Sequence, residues 1–287
     1  VKQTIENFST NVSEILEPNK PYLFISNHRD ITLDSALCNH AIDSIGLETT
    51  YNAIGDNLVN VNWMGDLLRL NKSFVISRSG ESKKEIYSNL SKASKFIKEK
   101  LESGSHVWIA QKQGRSKDGL DKTDPAVLKM LHIALRKEMP FEQMASKYNI
   151  VPCSISYEID PLAKEKSQQL NEARSKQGNE DISHIFKGVM LNKGNVALNF
   201  GKPITGKNSA EEMANKIDNV ILSNYKLWDT NIYAYKFLYE AVKDNDYPNA
   251  SAYFNNLRSV MTNKELEYIM NQYANPYKAQ EEFKDGR

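Results

Sequence analysis

Short apolar runs that end in polar or glycine-bearing turns alternate along this chain with segments whose apolar residues return every three or four positions. The runs at 22–26, 50–54, 74–76, 106–110, 150–157 and 195–200 have the length and the β-branched or aromatic content of strands. Ile86, Leu90, Ala93, Ile97 and Leu101 form one stripe, which predicts a helix over 84–101 closed by Gly104. Asp124-Pro125 supplies an N-cap and a first-turn proline for a helix over 125–137. Ile5, Phe8, Val12, Ile15 and Leu16 predict a leading helix over 2–17, stopped by Pro18. Shorter helices are expected from Ser35 to about Ile42, over 62–68 and just before Ile150. Residues 160–183 are polar with few apolar anchors and predict an exposed helix or a mobile insertion. The remainder is helical: 209–224, then 226–243 with Trp228, Ile232, Tyr235, Leu238 and Val242 on one face, then pieces to about Tyr273. That face suits either core packing or a membrane surface.

The alternation predicts an α/β fold, a largely parallel mixed sheet covered by helices on both faces, with a helical C-terminal extension. The division expected is an α/β domain over 1–205 and a helical extension over 206–287 packed on it.

At 287 residues the chain is long enough to bury a substantial core. A formal charge of +1 gives no basic surplus of the kind that binds nucleic acid. Cys38 and Cys153 are the only cysteines, both in apolar segments, so neither a disulfide framework nor a cysteine metal site is expected. No apolar run approaches the roughly 20 residues that span a bilayer, and Val1-Lys2-Gln3-Thr4 lacks the apolar stretch of a signal peptide. The expected setting is the cytoplasm, free or peripheral on the inner face of the cytoplasmic membrane.

The chemistry is concentrated in loops that follow strands: Asn27-His28-Arg29-Asp30, Gly55-Asp56-Asn57, Arg78, and Gln113-Gly114-Arg115-Ser116-Lys117. A parallel sheet gathers such loops at one edge. An imidazole, two carboxylates and several cations are thereby expected in one pocket, suited to deprotonating the hydroxyl of an anionic substrate. A guanidinium on a glycine-flexed loop matches a phosphate. Taken singly, His28 is a loop histidine, Arg78 and Arg115 surface ion-pair partners, and Asp56 and Asn57 turn formers. His40, His106, His132 and His184 show no ligand spacing and read as structural or surface residues.

Five stretches taken in order add a resemblance. His28-Arg29 with a following Asp, Gly55-Asp56-Asn57-Leu58 leading to Trp63-Met64-Gly65, Phe74-Val75-Ile76-Ser77-Arg78, Gly114-Arg115-Ser116-Lys117-Asp118-Gly119, and Val151-Pro152 with the strand that follows resemble the motif blocks of the glycerophospholipid acyltransferases. The bacterial and mitochondrial glycerol-3-phosphate acyltransferase branch is the nearest in look. The resemblance covers about 20–205. It implies that His28 is the general base and that the block-one Asp orients it. It also implies that Arg78 and Arg115, with Lys117, bind the acceptor phosphate, with Arg29, Asn57, Gly114 and Ser116 as further substrate-side candidates. Val151-Pro152 would line a channel wall. The family spacing is His-x4-Asp, whereas Asp34 stands one position further from His28 and Asp30 stands after a single residue. Asp34 is favoured because the helix-like Ser35-Ala36-Leu37 follows it; Asp30 is then an N-cap or a substrate-side group. The usual Glu two residues before Gly-Arg-Ser is replaced by Lys112. The implied reaction is direct acyl transfer from acyl-CoA or acyl carrier protein to glycerol-3-phosphate or a lysophospholipid, with no cofactor, no metal and no acyl-enzyme. A non-catalytic lipid- or acyl-binding protein, or an O-acyltransferase for an amino-acid-type lipid, are the alternatives.

Overall fold

A computed structural model describes residues 3–56, 66, 68, 70–172 and 180–286. Asn57, Trp63-Met64-Gly65 and most of the short helix expected over 62–68 lie outside the described residues. Seven strands form one sheet in the order β1-β7-β6-β2-β5-β3-β4. They are β1 Asn7–Thr10, β2 Leu23–Ser26, β3 Tyr51–Gly55, β4 Ser73–Ile76, β5 Val107–Ala110, β6 Ile150–Tyr157 and β7 Asn195–Phe200. Every pairing is parallel except β6 with β7. The expected mixed, largely parallel sheet is thus present.

The central strand shows why the sheet forms here. Leu23, Phe24 and Ile25 are completely buried, and alternation sends Leu23 and Ile25 to one face and Phe24 to the other. On the first face lie the helices α3 Lys83–Glu102, α4 Pro125–His132, α5 Met144–Tyr148 and α8 Ala210–Asn224. On the second lie α1 Val12–Ile15 and α2 Leu33–Asp43. A separate cluster joins α9 Asp229–Tyr239, α10 Pro248–Arg258 and α11 Asn263–Asp285 to Ala163 of α6 Ala163–Asn171. The remaining α-helix, α7 Glu180–Met190, crosses the edge where β2 ends. Of the Trp228 to Val242 face, Tyr235, Leu238 and Val242 pack partly buried against this cluster, and the α9 residues buried in it are Tyr233 and Ala234.

Two expectations need correction. The leading helix over 2–17 is instead an edge strand followed by the four-residue α1. Residues 7–10 pair in parallel with β7 from Asn7 opposite Asn195 to Thr10 opposite Leu198, and the Asn7 amide donates to Asn195 Oδ1 at 2.7 Å. The open edge of β7 offers backbone partners that a marginal helix of this length cannot match. Residues 160–183 are not simply an exposed insertion, because Lys166, Ser167 and Gln169 of α6 are buried. Polar side chains read as exposed, but here they are paired: Lys166 Nζ donates to the Arg29 carbonyl at 2.8 Å and to Asp160.

Candidate active site

The chain leaves β2 at Ser26 and enters α2 at Leu33, and the turn between them carries His28. Asn27 anchors this turn on β6: its side chain accepts from the Ile155 N–H at 2.8 Å and donates to the Ile155 carbonyl at 2.9 Å. His28 Nδ1 then lies 2.8 Å from Asp34 Oδ2, with the histidine side chain 15% exposed and the aspartate 1%. The same Oδ2 accepts the backbone N–H of Arg29 at 2.6 Å and of Asp30 at 3.0 Å. Oδ1 accepts the Tyr157 hydroxyl at 2.8 Å. Burial, reinforced by the Asp34 charge, holds the Tyr157 phenol well above its ordinary pKa, so it stays a donor. With Asp34 as acceptor, Nδ1 carries the proton and Nε2 is left as the basic nitrogen.

Asp34 rather than Asp30 therefore meets the imidazole. Asp30 Oδ1 accepts the N–H groups of Thr32 and Leu33, both at 2.9 Å, and so organises the turn into α2. Its Oδ2 is buried without a partner and faces Gly188 of α7. Burial first, and the Asp34 charge second, raise the Asp30 carboxyl above the usual aspartate value.

The loop after β5 is tied to the same turn. Gln111 N–H donates to the Ser26 carbonyl and Ser116 N–H to the His28 carbonyl, each at 2.8 Å. Gly114 takes a φ of +77°, which aims Arg115 back toward His28. Arg78, delivered by β4, donates from Nη1 to Gln113 Oε1 at 3.2 Å. Asp56 at the end of β3 accepts Ser79 Oγ at 2.6 Å and Ser77 Oγ at 3.0 Å, and these hydroxyls lower its pKa.

One cavity of about 530 Å³ is lined by His28, Asp56, Arg78, Lys112, Gly114 and Arg115, with Ile31, Ile54, Ile76 and Trp108 as apolar walls. The Trp108 ring stands edge-on to the imidazole at 5.9 Å. Three of the expected substrate-side residues are not in this lining. Arg29 is buried, with Nη2 2.5 Å from Asp121 Oδ2 and 3.2 Å from the Gly119 carbonyl, and its guanidinium lies 5.4 Å from the Tyr225 ring. Burial works against its charge, but Asp121, Tyr225 and Asp160 together more than offset this and keep its pKa raised. Ser116 is buried and bonds within its own loop, to Asp118 and the Leu120 carbonyl. Lys117 also stands outside the lining, and Pro152 is a buried strand residue opposite Ile25.

α7 brings two residues that the sequence reading did not select. Asp181 lines the cavity, and His184 Nδ1 lies 3.0 Å from Arg115 Nη2. The available signal was the spacing of His184 and Gly188 along one face of an amphipathic helix. The assembled groups can take a proton from a hydroxyl and hold an anion beside it.

A family model described as Acyltransferase matches residues 4–156, just over half of the chain. The chain belongs to the acyltransferase family. The matched span runs through β6 and contains the His28 turn, Arg78 and the Arg115 loop. Among solved structures, the crystal structure of the 1-acyl-sn-glycerophosphate (LPA) acyltransferase, PlsC, from Thermotoga maritima is similar at 17% identity, with a TM-score of 0.43 over 75% of this chain and 69% of that one. No curated protein matches by sequence. Among the described residues of this acyltransferase, no helix is long and apolar enough to cross a membrane.

Proposed function

We propose that this acyltransferase moves a fatty acyl group from acyl-CoA or acyl carrier protein to a hydroxyl of glycerol-3-phosphate or a lysophospholipid, in the manner of the glycerol-3-phosphate branch. The observation that carries this reading is Arg115: it lines the His28 cavity, and its Nη1 is buried without a hydrogen-bond partner. An orphaned buried donor costs about 1–3 kcal/mol, which a phosphate oxygen of the acceptor would offset. Arg78 adds a second cation to the same cavity.

In this scheme His28 Nε2 removes the acceptor hydroxyl proton as the oxygen attacks the thioester carbonyl. Asp34 stabilises the imidazolium that results. The new C–O bond gives a tetrahedral intermediate, which collapses as the C–S bond breaks and the proton passes to the departing thiolate. Every step uses groups of this chain, with the thioester as co-substrate. The Ile31, Ile54, Ile76 and Trp108 wall suits an acyl chain. Phe186, Met190 and Leu191, exposed at the end of the helix over the site, favour work at the surface of the cytoplasmic leaflet.

The test is His28→Ala with acyl-CoA and labelled glycerol-3-phosphate or lysophosphatidic acid. Turnover should drop by about 10²–10⁴ while the far-ultraviolet circular dichroism stays native, because His28 is a partly exposed loop residue. Wild-type turnover in this variant rejects the assignment of the base. Tight acyl uptake without any product from the wild-type protein would favour a lipid-binding protein instead. Product only with an amino-acid-type lipid would move the acceptor, a shift to which Lys112 in the cavity lining bears.

A further inference from the structure

Resting on the phosphate reading above, we propose that His184 is the positioning residue for Arg115, so that α7 sets the affinity of the acyltransferase for the phosphate-bearing acceptor. Arg115 follows Gly114 in a loop of mixed exposure, and the backbone sets where its side chain starts but not where the head of a long, multi-rotamer side chain comes to rest. His184, only 5% exposed, reaches it from α7 and accepts Nη2 on Nδ1 at 3.0 Å. One end of the guanidinium is thereby held from behind, while the buried Nη1 remains for an incoming oxygen.

The depth of α7 makes this contact possible. A Cβ on Gly188 would lie 2.3 Å from Asp30 Oδ2, so glycine lets the helix approach the catalytic turn more closely than a side chain permits. Asp181, one turn before His184, lines the cavity from the same helix face. The chemical type of the holder also matters. A carboxylate at 184 would accept the same hydrogen bond, but it would cancel the cation and compete with an anionic ligand. A neutral imidazole accepts from the guanidinium and leaves its full charge to the acceptor.

The experiment uses the full chain, with sn-glycerol 3-phosphate varied at saturating acyl-CoA. His184→Leu should raise the acceptor KM by about tenfold, with kcat and the thioester KM within about twofold of wild type. His184→Gln, whose Oε1 can accept from Nη2, should recover to within about threefold, whereas His184→Asp should bind the acceptor as poorly as His184→Leu. In an Arg115→Ala background, His184→Leu should add no further change. Isothermal titration with sn-glycerol 3-phosphate, and glycerol as the uncharged control, should give the same ranking in Kd. An unchanged acceptor KM in His184→Leu, equal rises for acceptor and thioester, or an undiminished effect in the Arg115→Ala background overturns the proposal. If His184→Leu does not fold, the comparison of Gln with Asp decides: equal KM values for the two reject it. An acceptor KM unaffected by Arg115→Ala rejects the phosphate reading itself; a raised value there, with His184→Leu unaffected, rejects only the role of His184.

Discussion

Asp34 collects four hydrogen bonds from different places: the His28 ring, two successive backbone amides and the Tyr157 hydroxyl. A carboxylate so surrounded has one orientation, and the imidazole inherits it. Asp30, four residues earlier, has the opposite fate, with one oxygen engaged in the turn and the other orphaned beside Gly188. Its raised pKa means that the folded protein keeps a proton which the unfolded chain has already released. The associated stability is complete below the unfolded value and is lost as pH rises through the folded one. Asp30→Asn keeps an oxygen for the Thr32 and Leu33 amides and carries no charge at any pH. Urea unfolding should therefore show the variant gaining on wild type as pH climbs from about 4, the ordinary aspartate range. A difference that stays flat from acid to neutral pH would reject the assignment. Arg29 illustrates what a residue's neighbours in sequence do not reveal. It sits next to His28 yet pairs with Asp121, a partner 92 positions further along the chain.

At the scale of elements, the loop over 111–119 is the most consequential, since it holds Arg115 against the His28 turn. It is fastened at its far end to α11: Asn275 Nδ2 donates to the Asp118 carbonyl at 2.7 Å, and Gly119 passes directly over the helix backbone. Gly119 has a φ of +79°, and a Cβ there would come 2.1 Å from the Gln272 carbonyl oxygen. Gly119→Ala should accordingly cost more than about 1 kcal/mol, from the left-handed backbone and the clash together, and should lower Tm. The displaced loop should also raise the acceptor KM. A variant with unaltered Tm would show that this crossing is looser than the distances imply. The loop's motif was legible, since its glycines and cations stand out after a strand. Its fastening was not, because Asn275 and Gln272 lie more than 150 positions away in sequence.

At the scale of the whole molecule, a helix that follows residue 205 shares the core of the sheet. Met213, Ile217 and Ile221 of α8 are buried in the same core as Leu23 and Ile25 of the central strand. Full burial of such side chains contributes about 1.5–3 kcal/mol each, and domain stabilities are only about 5–15 kcal/mol, so these three alone represent much of the total. Deeper still, Gln272 of α11 donates to Asp160 at 2.6 Å, Asp160 pairs with Lys166, and Lys166 holds the Arg29 carbonyl beside His28. A chain ending at residue 205 should therefore fail to give dispersed amide resonances or a cooperative melt. A folded, active fragment would refute this account of the core.

Six of the seven strands, the helices over 83–102 and 210–224, and the identity of the His28, Arg78 and Arg115 loops follow from the order of residues alone, because hydrophobic period and turn chemistry are local. The structure alone decided the rest: residues 7–10 became a strand because β7 had an open edge, and polar α6 became buried because its charges found partners. In the same way Asp34 rather than Asp30 met His28, Arg29 turned away to Asp121, and His184 came to rest on Arg115. Each of these depends on distance in space between residues far apart in sequence or on opposite sides of one turn, and a linear pattern carries no record of that distance.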